Sequence, residues 1–372
     1  MVIDEITSTV LDIPLACPIT MSFGEVSRQT TVLVRARCSD GVVGCGEADL
    51  LGGPHWGVES AESVKATIDR YIAPALIRQR FSGAEAISSA LGKTIKGNAA
   101  ARGSVEMALL DILGRRLGLP ASTLFGGALR DRLPVAWTLS NGATALDIED
   151  GERAIEERGH RQFKLKIGVA HDPTCEYKRV CEICRAFEGR ALITADINQG
   201  WDTITARKWL PAFADVGLHA IEQPLPAWDI DGMARIQALL DIPVVADEAI
   251  TGLRTAQRVV QSKAAYAISL KPNRDGGMWT TRKIAAVAEA SGIGLYGGTM
   301  IETSLGTAAL AMLYSAVPQL ALGTELFGPL RLAGDIAATP LVVRDGALDV
   351  PTGPGFGIEL DMEQVRFFTR ND

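Results

Sequence analysis

The sequence predicts an α/β protein in which a (β/α)8-type barrel follows an N-terminal α+β domain. Three observations support this prediction. The chain has 372 residues, which is more than one small core needs and enough for two domains. Residues 1–128 show strand-like alternation and then helical periodicity. Residues 129–340 alternate eight short apolar runs with longer helical stretches. Residues 341–372 are predicted to form a hairpin and a segment that returns to the first domain.

The N-terminal domain is predicted to begin with strands and to end with a helix. Residues 31–37 alternate like a strand, residues 39–41 (Ser-Asp-Gly) are predicted to form a turn, and residues 42–46 are predicted to form the second strand of the hairpin. A helix is predicted next, because apolar side chains recur at the spacing of one helical face, at positions 105, 108, 109, 112 and 113. Gly118 and Pro120 are expected to end that helix.

The barrel is predicted from runs that are almost continuously apolar, as strands buried on both faces are. Each run follows the last after about one β-α unit, and the eight runs cover residues 135–139, 163–167, 192–197, 219–223, 243–247, 265–270, 294–298 and 320–324. A doubly wound sheet would alternate in the same way, but it usually offers a glycine-rich phosphate turn. No GxGxxG follows an early strand, and GxxxxGK[ST] is absent from the sequence. The pattern therefore favours the barrel.

The composition excludes several classes of function. Hydrophobic residues make up 47% and charged residues 22% of the chain, which excludes a mainly disordered protein. The formal net charge of −7 repels nucleic acid and anionic membranes, although a local cationic site could still bind a small anion. No apolar run reaches about 18 residues, and the N-terminus lacks a signal pattern, so a cytoplasmic protein is predicted. Cys181 and Cys184 form an isolated CxxC pair, for which a structural role is predicted.

Acidic residues close three successive runs. Asp196, Glu222 and Asp247 end runs three, four and five at separations of 26 and 25 residues. Because the carboxyl ends of barrel strands meet at one face, the three carboxylates are expected to lie at one level. Carboxylates this close repel each other unless a cation lies among them, and hard oxygen ligands suit Mg²⁺ or Mn²⁺. The alternative is that each acid only caps the following helix, but that role does not explain their equal spacing.

Lysines and further acids lie at the ends of neighbouring runs. Lys164 and Lys166 lie on run two and point the same way, because strand side chains alternate. Mutual repulsion and partial burial are expected to lower the pKa of each, which would make one of them an acid or base near neutral pH. Lys271 ends run six, 24 residues after Asp247, and is expected to lie roughly opposite Lys166.

Two more acids are candidates for polar contacts with a substrate. Glu325 ends run eight, and Glu302 follows run seven. Glu325 is the stronger candidate because it lies at the strand end itself.

In this order and spacing, the residues resemble the enolase superfamily in its muconate-lactonizing branch. The resemblance covers the whole chain and rests on a specific set of motifs: K-x-K, then Asp, Glu and Asp on successive strands, then a lysine on strand six. Stretches that look like those of muconate and chloromuconate cycloisomerases are residues 105–111, 136–139, 294–300 and 323–329. The resemblance implies the superfamily's modified TIM barrel under a capping domain, and a homo-oligomer, commonly an octamer.

The resemblance also implies a role for each candidate residue. Asp196, Glu222 and Asp247 match the ligands of a divalent metal, Mn²⁺ or Mg²⁺. Lys166 matches the principal acid/base, Lys164 its neighbour, and Lys271 the second lysine. Residues 19–27 and Leu51 fall in the capping loops that close over substrate, and His55 is expected nearby. The predicted substrate contacts are Leu51, Thr138, Asn198, Glu325 and Phe327.

The implied reaction converts cis,cis-muconate, or a chloromuconate, to muconolactone in catechol degradation. One carboxylate of this small dicarboxylate adds to a double bond, the metal stabilises the resulting enolate, and a lysine protonates the adjacent carbon. Lys166 is the predicted proton donor and Lys271 holds charge on the opposite face, although addition can be syn or anti in this branch and the roles could be exchanged. Residues 272–277 are more polar than the resemblance leads one to expect, which is predicted to change the rim beside the substrate.

Two other hypotheses about the function remain open. An N-acylamino acid racemase, a dipeptide epimerase or an o-succinylbenzoate synthase of the same superfamily would share these lysines and acids. Dipeptide epimerases tend to carry Asp-x-Asp at the end of run eight, where this chain has Glu325 and Phe327. A mandelate-racemase-like enzyme would use a histidine after run seven, and no histidine lies there. A non-catalytic binding barrel would be expected to have lost a lysine or an acid, and all are present.

Overall fold

The computed structural model describes residues 1–21, 24–55, 57–168 and 172–370, so part of the predicted capping loop at 19–27 lies outside the described residues. The N-terminal domain opens with three antiparallel strands in the order β1-β2-β3, which are β1 (Ile3–Met21), β2 (Gly24–Cys38) and β3 (Val43–Asp49). The strand and turn predicted at residues 31–46 are confirmed. In this sheet Val32 pairs with Val10 on one side and Ala48 on the other, and both Val32 and Ala48 are buried.

Helices then cover one face of this sheet. They are α1 (Ala61–Thr67), a π-helical turn (Ile68–Ile72), α2 (Ala73–Leu76), α3 (Ala84–Thr94) and α4 (Ala99–Leu117), with short 3-10 helices at Gly53–His55 and Ala121–Phe125. The predicted helix is confirmed as α4, and it ends at Gly118, which adopts a φ of +66°. Helix α4 packs closely on β3, because a Cβ atom at Gly46 would lie only 2.3 Å from the carbonyl oxygen of Ser104.

The barrel strands form one parallel sheet in chain order, which are β5 (Trp137–Leu139), β6 (Gln162–Lys166), β7 (Leu192–Asp196), β8 (Ala220–Glu222), β9 (Val244–Ala246), β10 (Ala267–Leu270) and β11 (Gly294–Gly297). A short strand, β4 (Arg132–Pro134), precedes them. The intervening and following helices are α5 (Thr144–Arg158), α6 (Pro173–Ala186), α7 (Thr203–Ala214), α8 (Ile230–Gln237), α9 (Leu253–Gln261), α10 (Pro272–Asp275), α11 (Met278–Ala290), α12 (Ser304–Ser315) and α13 (Gly328–Arg331).

The eighth run does not form a full strand, which corrects the prediction for residues 320–324. Within it only Thr324 makes strand-like bridges, to Gly297 on one side and Val135 on the other. The run is interrupted by a turn directly before Thr324, where Gly323 adopts a φ of +73° that a strand does not allow. Backbone hydrogen bonds still join both neighbours, from Thr324 N to Pro134 O and from Glu325 N to Gly297 O, so residue 324 closes the ring.

The C-terminal segment contains a hairpin and a helix. Strands β12 (Val343–Arg344) and β13 (Ala347–Asp349) form the predicted hairpin, and β13 pairs with β4 at the start of the barrel. Residues beyond it contact the N-terminal domain, where Phe356 N donates to Asp111 of α4 and Arg370 pairs with Asp12 of β1. Helix α14 (Met362–Phe368) lies in this returning segment.

Two further sequence predictions concern cysteines and membranes. Cys181 and Cys184 lie in α6, and all six cysteines are unpaired. Among the described helices, none is both long and apolar enough to cross a membrane.

Candidate active site

The candidate residues meet at the carboxyl ends of the barrel strands because neighbouring strands run in register. Lys166 on β6 is the pairing partner of Asp196 on β7, and Asp196 is in turn the partner of Glu222 on β8. Asp247 follows the last residue of β9, and Lys271 follows the last residue of β10. One lysine and two acids therefore lie in a row across three strands, and the next two strands each add one charged side chain.

Lys164 is buried and lies between two carboxylates. Its Nζ donates to Glu222 Oε1 at 2.8 Å and to Glu325 Oε2 at 2.7 Å, and it lies 4.8 Å from the centre of the Tyr296 ring. Burial by itself lowers the pKa of Lys164, but the charges of Glu222 and Glu325 outweigh it and hold this pKa well above its usual range. The expectation that Lys164 has a lowered pKa is therefore wrong, because the carboxylates lie closer to it than sequence spacing indicated.

Lys166 reaches the same cavity from two residues further along β6. Its Nζ donates to Asp196 Oδ2 at 2.6 Å and to Asn198 Oδ1 at 2.9 Å. The side chain is 12% exposed, compared with 2% for Lys164. Asn198 is held in turn by Glu248, which accepts a hydrogen bond from the Asn198 amide at 3.1 Å. Lys166 is therefore the more accessible of the two lysines, and its ammonium group is oriented by two oxygens.

Lys271 is paired with the third acid. Its Nζ lies 2.8 Å from Asp247 Oδ2, and Arg274 binds the other oxygen of the same carboxylate. Burial raises the pKa of Asp247, but Arg274 and Lys271 outweigh this and hold it well below its usual range. Burial lowers the pKa of Lys271, but the nearby carboxylates, with Asp247 the largest contributor among them, together outweigh it, so this pKa lies above the usual value. The lysine is thus charged, contrary to what simple burial of an amine would give.

The three acids offer oxygen ligands only, which is the donor set of a hard divalent cation. Each of these carboxylates is paired with a lysine, and among the described residues no three acid, histidine or cysteine side chains form a ready-made metal centre. Burial raises the pKa of Glu222, and the neighbouring Asp196 and Asp247 add to this although Lys164 opposes it. Mutual repulsion of this kind is what a divalent cation would relieve, so the donor set fits such an ion.

A narrow cavity brings the remaining candidates together. All five predicted substrate contacts line it, and so do the three lysines and Asp196; the five are Leu51, Thr138, Asn198, Glu325 and Phe327. Three further lining residues were not predicted individually, although Ile19 falls in the predicted capping stretch. The other two, Thr299 and Ile301, follow β11; Thr299 falls in the stretch 294–300 on which the family resemblance rests, whereas no signal in the sequence marks Ile301.

The structure also places the other residues singled out in the sequence, which are residues 272–277, His55, Glu302 and Glu325. In the described part of the chain, no residue of the segment 272–277 lines this cavity: Arg274 pairs with Asp247, and Asn273 donates to Asp49 of β3 at 3.2 Å. The expected change of the rim stays a prediction. His55 lies in a separate surface depression beside Glu62. Glu302 accepts hydrogen bonds from the loop that carries it, at Met300 N and Thr299 Oγ1, whereas Glu325 faces the cavity.

A capped barrel with paired lysines and three strand-end acids defines a barrel enzyme of the enolase superfamily. Residues 5–126 match the mandelate racemase / muconate lactonizing enzyme N-terminal domain, and residues 147–365 match the enolase C-terminal domain-like family. The chain therefore belongs to the mandelate racemase / muconate lactonizing enzyme family.

Individual relatives cover the whole chain. Muconate cycloisomerase 1 of Pseudomonas putida is 42% identical over 353 residues, covering 95% of this chain and 94% of the relative. Chloromuconate cycloisomerase of Cupriavidus necator is 38% identical over 370 residues, covering 100% of both. The crystal structure of muconate lactonizing enzyme from Pseudomonas fluorescens complexed with muconolactone superposes with a TM-score of 0.96, at 42% identity and 99% coverage of each chain.

Proposed function

We propose that this protein is a metal-dependent cycloisomerase that converts cis,cis-muconate, or a chloromuconate, to muconolactone in the degradation of catechols. The observation that carries the proposal is the composition of the cavity. Lys166 and Lys271 are each held by a strand-end carboxylate and line the same cavity, whose other walls include the apolar side chains of Leu51 and Phe327. A flat, apolar diene with a carboxylate at each end fits such a cavity, because its charged ends can meet ammonium groups.

Asp196, Glu222 and Asp247 would hold the divalent cation, Mn²⁺ or Mg²⁺, and when bound it would neutralise the negative charge that develops on one substrate carboxylate. The other carboxylate forms a C–O bond to the double bond, and the displaced π electrons move towards the carbon beside the first carboxylate. Lys166 Nζ gives that carbon a proton and is left neutral, to be reprotonated from water. Lys271 is the second ammonium group, and Lys164 neutralises Glu222 and Glu325.

The family contains other reactions, and one feature of the cavity argues against a substrate with a free α-ammonium group. An α-ammonium group needs an unpaired carboxylate, but Glu325 is engaged by Lys164 at 2.7 Å. Phe327, two residues later, lines the cavity with an aromatic ring. A dipeptide epimerase, whose substrate carries such a group, therefore fits less well than an enzyme for a dianion.

The assembly, location and domain limits belong to the same proposal. We expect a capping domain at residues 1–128, a barrel at 129–340 and a returning segment at 341–372, in a cytoplasmic homo-oligomer that binds neither nucleic acid nor membrane. The formal net charge of −7 agrees with these last two exclusions.

The experiment follows the ultraviolet absorbance of cis,cis-muconate with purified protein. Muconate should disappear in the presence of Mn²⁺ or Mg²⁺ and should persist when EDTA removes the metal, with recovery when the ion is added back. Loss that continues unchanged after metal removal would contradict the metal-dependent mechanism. Absence of turnover together with racemisation of N-succinyl amino acids would assign the protein to the alternative group of family reactions.

A further inference from the structure

Ile301, a cavity-lining residue, has an unfavourable backbone conformation. It follows β11 by four residues, its side chain is 3% exposed, and its φ is +64°. A β-branched residue in this left-handed region is a genuine outlier, because its Cβ crowds the following carbonyl oxygen. Asn198 also lines the cavity with a positive φ, of 44°, but asparagine tolerates this region far better. A strained residue of this kind persists only where its surroundings fix it.

The surroundings fix the turn at Ile301 from two sides. From the barrel, Thr299 Oγ1 accepts a hydrogen bond from Ile301 N at 2.9 Å, and Glu302 accepts one from Met300 N at 2.7 Å. From the N-terminal domain, the amide of Gln29 donates to the carbonyl oxygens of both Met300 and Ile301, the latter at 3.1 Å.

Gln29 lies on β2 and is fully buried. Its own Oε1 accepts no hydrogen bond within the described part of the chain, which is an energetic cost. The amide nitrogen of Gln29 thus stabilises the turn, while the amide oxygen has no hydrogen bond from any described residue.

This turn places the apolar side chain of Ile301 in the cavity wall. The cavity has a charged part, formed by the lysines and acids, and an apolar part formed by Ile19, Leu51, Ile301 and Phe327. Ile301 differs from the other three because its backbone has a strained, positive φ. We therefore expect it to move to a more favourable conformation if the hydrogen bonds of the turn are removed. The space that it leaves for a substrate therefore depends on the hydrogen bonds that hold the turn, among them those from Gln29, which comes from a different domain.

We propose that Ile301 is a specificity-determining residue that limits the substituents which the cavity accepts on the diene, and that Gln29 is a positioning residue that holds Ile301 there. This inference rests on the proposed function, since it takes a muconate as the substrate. The difference between a hydrogen and a chlorine on the diene is about the size of a methyl group, which is what Ile301→Val removes.

The first experiment compares kcat/KM for cis,cis-muconate and its 2-chloro and 3-chloro derivatives. Ile301→Val and Ile301→Ala should raise the ratio of chlorinated to unsubstituted turnover, by about tenfold or more for the alanine variant, which is the usual effect of methylene groups in an apolar pocket. Wild-type turnover with an unchanged ratio in both variants would overturn this inference and leave the proposed function standing. Wild-type protein that converts none of the three compounds would overturn the proposed function and this inference together.

The second experiment tests the strain by thermal unfolding. Ile301→Gly and Ile301→Ala remove nearly the same side chain, but only glycine adopts a positive φ freely. The glycine variant should therefore unfold about 2 °C or more above the alanine variant, although glycine normally lowers stability. A glycine variant that unfolds below the alanine variant would show that the turn is not strained.

The third experiment tests Gln29 against a matched control. Gln237 of α8 is also buried and also bridges two backbone groups, Ile242 O and Val244 N, but these lie at the start of β9, away from the cavity. Gln29→Leu should change the chlorinated-to-unsubstituted ratio in the same direction as Ile301→Ala, whereas Gln237→Leu should leave that ratio unchanged. The same ratio in Gln29→Leu as in wild type would refute the positioning role.

Discussion

Lys166 is the side chain on which the proposed proton transfer depends most directly. Both β6 lysines reach the cavity, but the ammonium of Lys164 is enclosed by Glu222 and Glu325, while that of Lys166 is bound by Asp196 and Asn198 and remains partly accessible. A proton donor has to come within hydrogen-bond reach of the reacting carbon, which favours the more accessible lysine. Lys164 instead neutralises two acids that would otherwise repel each other and the dianionic substrate.

The substitution Lys166→Ala should lower kcat for muconate by about 100-fold to 10,000-fold, which is the usual contribution of a positioned acid or base. Metal affinity should change little, because Asp196 and the other two acids are retained, and Mn²⁺ binding can be measured by electron paramagnetic resonance. Lys178→Ala, on the exposed face of α6, is the control and should keep wild-type activity. If Lys166→Ala retains its rate and Lys271→Ala loses it, the roles of the two lysines are the reverse of those proposed.

At the scale of elements, the packing of β3 on α4 shows how strictly two segments can constrain each other. Cβ atoms built at Gly44 and Gly46 would lie 2.4 Å and 2.3 Å from carbonyl oxygens of α4. These neighbours are backbone atoms of a helix, so they cannot move aside as a flexible side chain could. The contact matters for the site because β3 also carries Asp49, which accepts a hydrogen bond from Asn273, two residues after Lys271.

Gly46→Ala should therefore destabilise the protein by about 1–3 kcal/mol, the usual cost of adding a methyl group to a well-packed core. Gly92→Ala in α3 is a matched control, since a Cβ there would meet no atom of the described residues within 4 Å. That control should stabilise the protein by about 0.5–1 kcal/mol, because alanine favours a helix over glycine. Urea unfolding measures both changes, and equal effects of the two substitutions would contradict the close contact.

At the scale of the whole molecule, buried acids join the N-terminal domain to the barrel. Glu47 of β3 accepts hydrogen bonds from Thr303 N at 2.9 Å, from Thr303 Oγ1 at 2.7 Å and from Gly306 N at 3.0 Å. Burial raises the pKa of Glu47 to about 8, and the nearby acids Glu302 and Asp335 add to this although the hydrogen bond from Thr303 opposes it. Asp49, on the same strand, is also buried, and burial raises its pKa well above the usual value.

Because the pKa values of Glu47 and Asp49 are raised in the folded protein, we expect its stability to fall as the pH rises. The folded protein keeps the proton on Glu47 up to about pH 8, whereas the unfolded chain loses it near pH 4.5. The stabilisation is therefore complete below pH 4.5 and is lost as the pH rises through about 8, by an amount of the order of a few kcal/mol. Urea unfolding at several pH values between 5 and 8 should show this slope.

Glu47→Gln should make that slope shallower, since the amide does not titrate. Glu188→Gln, on the exposed surface, is the control and should leave the slope unchanged. Glu106, whose pKa burial raises to about 7, contributes to the same range, so part of the slope should remain in the Glu47 variant. An identical slope in Glu47→Gln and wild type would mean that Glu47 is charged in the folded protein at neutral pH.

The order of the barrel runs and the row of charged residues at their ends could be predicted from the sequence alone. Period-two and apolar patterns are local, and parallel strands in register then place residues such as Lys166, Asp196 and Glu222 side by side. The same reasoning failed at residues 320–324, where the apolar run is reduced to a single bridging residue by the turn at Gly323.

Long-range contacts in the folded chain set which charges pair and which backbone segments are held out of their preferred conformation. The Lys164–Glu325 pair joins residues 161 positions apart, Thr303–Glu47 joins residues 256 apart, and Gln29–Ile301 joins residues 272 apart. The charge state of Lys164 and the left-handed turn at Ile301 depend on such contacts, since burial and neighbouring charges set a pKa and a tertiary hydrogen bond can outweigh local strain. No pattern within a short stretch of sequence contains that information, because both effects arise only when distant segments pack together.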